Sequence, residues 1–279
     1  MKRSDEDKEL ALFYEKWAID EYEAHEIHVN QVQNLKADIF VKLINDSAIG
    51  EYITSIADIG CSTGLMLKVI GGAVNAKHML GIDISEATIS KARDYNASNT
   101  MMTFYTCDGS LDHTCKIVKQ YLEEHGLQTI SAIIMADFLE HCDNPQEIIS
   151  SLKTYCNMFL IKIPIEFTFW DNVLRKWFGK KIFPGPKHPD GHVWETNYHG
   201  ARKFISMSGL VPIIDYYWKY PEFVRYAPHI VKEWKQKPLV KRMLLNTEIK
   251  VHRIVNQWFN AKTAMQIIGG GYFCIAKMR

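Results

Sequence analysis

The stretch from residue 56 to residue 64, Ile-Ala-Asp-Ile-Gly-Cys-Ser-Thr-Gly, constrains the fold of this chain most strongly. An apolar run ends at an acid, a turn with two glycines follows, and a helical apolar pattern begins at Leu65. This order predicts a strand, a loop and a helix. Gly60 and Gly64 allow a sharp turn and a close approach of the backbone to a ligand, where a Cβ atom would collide. The free amides at the start of the helix would face that ligand. We therefore predict a loop that binds a nucleotide-type cofactor.

Three other interpretations of this loop stay open. The dinucleotide fingerprint G-x-G-x-x-G needs glycine where Ser62 and Leu65 stand, which argues against NAD or FAD. The letters G-x-S-x-G also match the nucleophile elbow of hydrolases, with Ser62 as the nucleophile. A hydrolase would not need Asp58 before the turn or an acid at the end of the next strand, and this chain has both. The third interpretation is a strand-to-helix turn that binds no ligand.

The second predicted strand begins at His78 and ends in an acid, Asp83. Ser85 is suited to cap the helix that follows. Asp83 comes 23 positions after Gly60. In doubly wound folds an acid at the tip of the second strand accepts hydrogen bonds from ribose hydroxyls, at an offset of about 20 residues. The alternative is an acid favoured only by the dipole of the next helix. We predict that Asp83 holds a ribose.

Further strands are predicted at 101–106, 130–135 and 158–163, each separated from the next by a helical stretch. The segment 144–147, Asn-Pro-Gln-Glu, combines a capping residue, a proline in the first turn and an acid three positions after the cap, which predicts a helix start. Strands that alternate with helices indicate an α/β fold with a parallel sheet. Two more strands are predicted at 210–218 and 271–277, which makes seven.

Composition excludes several classes of protein. The chain has 279 residues, 47% of them hydrophobic and 23% charged, and its formal net charge is +1, so no global field favours nucleic acid or a membrane surface. The six cysteines show no C-x-x-C pair and no zinc spacing, which suits free thiols in a reducing compartment. The first residues lack the apolar region of a signal peptide, and no apolar run approaches the roughly 20 residues of a membrane span. We expect a cytoplasmic protein with no metal.

Four motifs in register, D-I-G-C-S-T-G, G-I-D, C-D-G and D-F-L-E-H-C-D-N-P, resemble those of class I S-adenosylmethionine-dependent methyltransferases. The most similar branch seen in the motifs includes the ubiquinone and menaquinone methyltransferases. The resemblance covers residues 50 to 165 and returns at 191–194 and 197–210. It implies a Rossmann-like sheet of seven mostly parallel strands with helices on both faces and an antiparallel last strand. It also implies S-adenosylmethionine as the cofactor.

The resemblance also implies a role for each matching residue. Asp58 and the turn after it would surround the methionine part of the cofactor, and Asp83 would hold the ribose. Cys107 and Asp108 would flank the adenine, while Asp137 and Phe138 would lie under the sulfonium. Ser62 departs from the family pattern, because many members have glycine there. The implied cofactor-binding residues are Asp58, Gly60, Cys61, Ser62, Gly64, Asp83, Ile84, Cys107, Asp108, Asp137 and Phe138.

We expect an N-terminal helical segment at 1–50 and a methyltransferase domain at 51–279. The N-terminal segment covers one end of the sheet or folds over the cofactor as a lid. An insertion at 166–196 mixes aromatic and cationic side chains, which predicts a cap over a small-molecule substrate that is anionic or bears a phosphate; the alternative is an ordinary surface insertion. A helical insertion at 221–266 is rich in lysine, and we expect a partner or homodimer face there rather than a nucleic-acid site. The predicted substrate-binding residues are Tyr14, Trp17, Trp170, Lys187 and Trp194.

Methyl transfer from a sulfonium is an in-line displacement, so the protein must mainly align the nucleophile with the methyl group. A hydroxyl nucleophile must lose its proton, and histidine is the side chain suited to that role near neutral pH. His141 is the first candidate, because it follows the tip of the fourth strand, and His192 and His188 come next. A lone histidine also fits a packing role. We predict a small-molecule O-methyltransferase, with an RNA or protein methyltransferase and a non-catalytic cofactor-binding scaffold as the alternatives.

Overall fold

The structure is a computed structural model that describes residues 22–166, 196–226, 231, 236 and 238–279. Its centre is a seven-stranded sheet with strand order β3-β2-β1-β4-β5-β7-β6. The strands are β1 Ser55–Ile59, β2 His78–Asp83, β3 Met102–Thr106, β4 Ile130–Ala136, β5 Cys156–Ile165, β6 Leu210–Trp218 and β7 Gly270–Met278. Each predicted strand is present, and the predicted α/β class is confirmed.

Helices connect the strands and cover the sheet. They are α1 Tyr22–Asp46, α2 Leu65–Ala73, α3 Glu86–Tyr95, α4 Leu111–Glu124, α5 Pro145–Leu152, α6 Tyr198–Met207, α7 Glu222–Arg225, α8 Leu239–Trp258 and α9 Ala261–Ile268. Short 3-10 turns lie at Gly50–Tyr52 and at Leu139–His141. Ser85 caps α3 as its sequence position predicted, since its side chain accepts a hydrogen bond from the amide of Thr88.

The first five strands pair in parallel, and β7 runs antiparallel between β5 and β6. The central strands β1 and β4 are buried along their whole length, because helices cover both faces of the sheet. One face packs Ile133, Tyr121 and Phe159 into a core, and the other packs Ile134 and Leu67. Continuous apolar runs in the sequence therefore correspond to strands buried on both sides.

The strand order reverses between β1 and β4. Both strands pair in parallel with each other, but β1 continues to β2 on its far side while β4 continues to β5. In open α/β sheets ligands bind at the carboxyl ends of the strands at such a point, where the connecting helices diverge to opposite faces and leave a crevice. The turn after β1 and the segment after β4 therefore border the expected site.

The helix α1 belongs to the core of the sheet's second face. Ala37, Phe40, Leu43 and Ile44 are fully or almost fully buried there, and the Phe40 ring lies 5.0 Å from that of Phe273 on β7. Such burial anchors the helix to the sheet. Among the described residues, none of the helices is both long and apolar enough to cross a membrane.

Candidate cofactor and acceptor site

The turn after β1 is tied to β2 by backbone hydrogen bonds. The amides of Gly60 and Cys61 both donate to the carbonyl of Ile82, at 2.8 and 3.0 Å. Gly60 and Gly64 have φ angles of 82° and 75°, and Ser62 has 49°. Glycine adopts this left-handed region freely, whereas serine is strained by roughly 1–2 kcal/mol. The rest of the fold therefore holds Ser62 in a strained conformation. Such strain is common at sites where the backbone contacts a ligand.

Gly64 is required by space as well as by backbone angle. A Cβ atom at this position would lie 2.6 Å from Cε1 of Phe104, a ring on β3. Gly64 is also the N-cap of α2, and no side chain of the described residues caps that helix end. The first amides of α2 therefore stay available to an acceptor group of a ligand.

Asp83 bridges the turn and the start of α3. One carboxylate oxygen accepts a hydrogen bond from the amide of Ser62 at 2.8 Å. The other accepts from the amide of Ser85 at 3.0 Å and from the Thr88 hydroxyl at 3.3 Å. Burial raises the pKa of Asp83, and the hydrogen bonds from Ser85, Ser62 and Thr88 offset only part of this rise. A carboxylate offers about four lone pairs, so acceptor capacity is left for a ribose hydroxyl. The predicted ribose role stays a prediction, and the structure adds a role in holding the turn.

Asp58, near the end of β1, is a buried acid that lacks a full set of partners. It is 1% exposed, and its Oδ2 has no hydrogen-bond partner among the described residues. Burial, and then the nearby charge of Asp83, raise the pKa of Asp58 to about 8. A buried orphan oxygen is costly unless a ligand supplies a donor or a positive charge.

The segment after β3 lies beside Asp83. The amide of Cys107 donates to the Asp83 carbonyl at 2.8 Å, which extends the β2–β3 ladder. Asp108 is exposed and accepts hydrogen bonds from the amide and hydroxyl of Ser110. Although burial works in the opposite direction, Ser110 and His113 hold the pKa of Asp108 below its usual range. Ile84 is half-buried at the same edge, so these residues border one side of the crevice.

Asp137, directly after β4, lies at the centre of a charged cluster. It contacts Lys162 of β5 and Lys36 of α1, and it has a left-handed φ of 53°. Its amide donates to the Lys162 carbonyl at 3.2 Å. Burial would raise the pKa of Asp137, but the two ammonium groups hold it well below its usual range. Asp137 is therefore a fixed negative charge that joins three elements.

Phe138 connects this cluster to the first turn. A Cβ atom on Gly60 would lie 3.1 Å from Cδ2 of Phe138, so the ring packs directly against the glycine. The segments after β1 and β4 are thus in contact across the point where the strand order reverses.

His141 ends the 3-10 turn Leu139–His141, and its amide donates to the Phe138 carbonyl at 3.1 Å. It is half-buried at the carboxyl edge of the sheet, where the sequence placed it. The other predicted catalytic histidines, His188 and His192, lie outside the described residues. The same holds for the predicted substrate-binding residues Tyr14, Trp17, Trp170, Lys187 and Trp194.

Sequence reasoning missed the other members of the charged cluster. Lys162 is 2% exposed, and its Nζ lies 5.6 Å from the centre of the Tyr220 ring. Glu140 is 1% exposed, and neither of its carboxylate oxygens has a hydrogen-bond partner among the described residues. Lys162 could have been found, because it is the one charge in the apolar run of β5, residues 156–165. Glu140 gave no such signal, since it stands in a polar stretch beside His141.

The arrangement suits a ligand with separate positive groups. Among the described residues, Oδ2 of Asp58, near the end of β1, and both carboxylate oxygens of Glu140, after β4, are buried without a hydrogen-bond donor. The turn 60–64 lies between these two acids and β2, to which its amides are bonded. In the part of the chain that the structure describes, no group of three or more His, Cys, Asp or Glu side chains is placed to hold a metal ion.

Comparison with known proteins gives a family match. A family model described as a methyltransferase domain matches residues 29–203. The mitochondrial ubiquinone biosynthesis O-methyltransferase of Saccharomyces cerevisiae is 23% identical over 176 residues, which cover 56% of this chain and 51% of that protein. The chain therefore spans about half the length of this curated relative.

Solved structures share the fold. Magnesium protoporphyrin IX methyltransferase from Synechocystis PCC 6803, with bound S-adenosylhomocysteine, has a TM-score of 0.52 at 14% identity, over 90% of this chain and 84% of that one. A putative sarcosine dimethylglycine methyltransferase from Galdieria sulphuraria has a TM-score of 0.53 at 10% identity, over 98% of each chain. At these identities the likeness concerns the fold.

Proposed function

The chain belongs to the methyltransferase domain family of S-adenosylmethionine-dependent enzymes, and from this premise we propose that it methylates a hydroxyl group of a small molecule. The name of the yeast relative, an O-methyltransferase, supports oxygen as the acceptor atom. The observation that carries the proposal is the turn 60–64, locked to Asp83 and in contact with the segment after β4.

The residues present fit S-adenosylmethionine. Asp83 would hold the ribose, Cys107 and Asp108 would flank the adenine, and the turn 60–64 would receive the methionine part. The orphan Oδ2 of Asp58 suits the α-ammonium group of that part, because a buried acceptor is satisfied best by a charged donor. When bound, the cofactor supplies a methyl group on a positively charged sulfur, with a neutral thioether as the leaving group.

The acceptor would lie above β4 and β5, at the carboxyl edge next to Asp137 and His141. We propose that His141 accepts the proton of the acceptor hydroxyl, because its side chain is half-buried at this edge. Histidine is the side chain whose ordinary pKa suits this role near neutral pH. Lys36 and Lys162 place two ammonium groups against the single carboxylate of Asp137. This excess of positive charge favours an anionic acceptor, whose negative group would approach from the open side.

The test joins a binding measurement with an activity measurement. Calorimetry of the full chain with S-adenosylhomocysteine should show micromolar affinity, and Asp83→Asn should weaken it by about tenfold or more, the effect of losing a charged hydrogen bond. Methyl transfer to a panel of phenolic and carboxylated hydroxy compounds should then show turnover with at least one of them. His141→Gln should reduce that turnover while cofactor affinity is retained.

Each result bears on a separate part of the proposal. If the wild-type chain does not bind S-adenosylhomocysteine, the cofactor assignment fails. If it binds but methylates amines instead of hydroxyls, the acceptor atom is wrong. Equal loss of turnover and cofactor affinity in His141→Gln would reduce His141 to a structural residue.

A further inference from the structure

Glu140 is a buried acid to which the proposed function gives no role. It is the middle residue of the turn Leu139–His141, which follows Asp137 and Phe138 directly. It is 1% exposed, and neither of its carboxylate oxygens accepts a hydrogen bond from a donor among the described residues. An ionised carboxylate in this state is unfavourable, because it has lost water without gaining donors.

The charged and titratable groups around the pair of Glu140 and Asp137 come from four parts of the fold. Asp137 follows β4, Lys162 is on β5, Lys36 is on α1, and Tyr220 follows β6, while His141 is next in the chain. Burial raises the pKa of Tyr220 to about 12, so this phenol is neutral near pH 7. Among the described residues, the two ammonium groups face the ionised carboxylate of Asp137, and with Glu140 protonated one positive charge is in excess.

The position of Glu140 relative to the cofactor rests on the proposed function. If Asp83 at the end of β2 holds the ribose, the methionine part of the cofactor would lie over β1 and β4, where the strand order reverses. The Phe138 ring packs against Gly60 at that point, and Glu140 lies two residues further along. The sulfur of the cofactor would therefore come close to a region that already carries excess positive charge.

We propose that Glu140 is the counter-charge of the sulfonium and allows the site to distinguish S-adenosylmethionine from S-adenosylhomocysteine. In the free protein the carboxyl holds a proton. When the sulfonium arrives, that proton leaves to solvent, and the carboxylate offsets the added positive charge. Once the methyl group has been transferred, the sulfur is a neutral thioether, and Glu140 takes a proton back from solvent. The neutral product then loses an attraction that the charged substrate had.

The direction of the pH effect follows from burial and neighbouring charge. Burial raises the pKa of Glu140, and the neighbouring carboxylate of Asp137 adds to this through its charge and as an acceptor for the Glu140 proton, while Lys162 opposes the rise. A sulfonium would lower this pKa again, because an opposite charge favours the ionised form. Binding of S-adenosylmethionine must then release a proton that binding of S-adenosylhomocysteine does not release. Raising the pH should favour the charged cofactor over the neutral product.

The experiment is calorimetry of the full chain with each compound in two buffers of different ionisation enthalpy, between about pH 6 and pH 8.5. We expect S-adenosylmethionine to release up to one proton more than S-adenosylhomocysteine. The ratio of their affinities should rise with pH, by up to about tenfold per unit where Glu140 titrates. Both compounds carry the same adenosine and amino acid parts, so protons released in response to those parts are equal and cancel in this comparison.

Variants assign the effect to Glu140. In Glu140→Gln the extra proton release should vanish and the affinity for S-adenosylmethionine should fall, while the affinity for S-adenosylhomocysteine is kept. Glu140→Asp should restore part of the discrimination. The matched control is Glu147→Gln, which changes an exposed carboxylate on α5 whose Oε2 accepts from Asn144, and it should leave both affinities unaltered.

Two outcomes would overturn the inference. The first is equal proton release on binding of the two compounds to the wild-type chain. This comparison needs no variant, so it tests the inference even if Glu140→Gln does not fold. The second is a Glu140→Gln chain that keeps the wild-type difference. Failure of both compounds to bind would instead contradict the proposed function.

Discussion

At the scale of single residues, the site combines acids in opposite states. Asp137 is held ionised by two ammonium groups, whereas burial raises the pKa of Asp58 to about 8. When the pKa of a group is higher in the folded state than in the unfolded state, the folded state binds the proton more tightly. The stability from this proton is complete below the unfolded pKa and is lost as the pH rises through the folded pKa. Asp58 therefore reduces the stability of the ligand-free chain increasingly between about pH 4 and pH 8.

We predict that Asp58→Asn stabilises the ligand-free chain at pH 7.5 and weakens cofactor binding. The amide does not titrate, so the cost of keeping a buried acid protonated above its unfolded pKa disappears, and the free energy of unfolding should rise by ~1 kcal/mol or more. The attraction to the α-ammonium group disappears with it. Denaturant unfolding and calorimetry with S-adenosylhomocysteine measure the two effects. A less stable variant, or one with unchanged affinity, would contradict the role given to Asp58.

At the scale of elements, the sequence predicted the turn between β1 and α2 well because its causes are local. Gly60 and Gly64 have the left-handed φ angles that their position suggested, and Asp83 contacts the turn through the amide of Ser62. The cluster around Asp137 could not be predicted, because it joins α1, β4 and β5, and contacts between distant parts of the chain leave no local pattern. Only the lone Lys162 in its apolar strand pointed to such a partner.

The helix α2 offers a test with an internal control. Gly64→Ala should lower the free energy of unfolding by ~2 kcal/mol or more, because the new Cβ would meet Phe104 at 2.6 Å and the left-handed φ would be strained. At Gly72, in the same helix, no atom of the described part of the chain lies within 4 Å of the added Cβ atom. Gly72→Ala should therefore stabilise the chain by about 0.5–1 kcal/mol. Equal effects in chemical denaturation would show that the turn tolerates a side chain.

The ion pair between β5 and the segment after β4 offers a second test. Lys162→Met should destabilise the chain by about 3 kcal/mol near pH 7, because it removes a buried partner of Asp137. The pKa of Asp137 is lowered, so the stability it provides is present above the unfolded pKa and is lost as the pH falls below that value. The difference between wild type and variant should thus shrink in acid. Lys153→Met, at an exposed lysine, should change stability by less than about 0.5 kcal/mol at either pH.

At the scale of the whole molecule, the parallel sheet could be predicted from the sequence, and the residues that face its carboxyl edge could not. Alternating apolar runs and helices indicated a parallel sheet, and the antiparallel β7 came from the family resemblance. The predicted substrate cap at 166–196 falls mostly outside the described residues, so the acceptor has to be inferred from the sheet side alone. That side supplies Asp137 and His141 after β4 and Lys162 within β5, which support the proposed class of acceptor rather than one compound.

A crystal structure of the full chain with S-adenosylhomocysteine tests the central claim most directly. The account predicts a ribose hydroxyl within hydrogen-bond distance of Asp83, the amino group of the ligand at Asp58, and the sulfur above the segment 137–141. A ligand bound elsewhere on the chain, or a crevice between β1 and β4 filled by side chains, would contradict it.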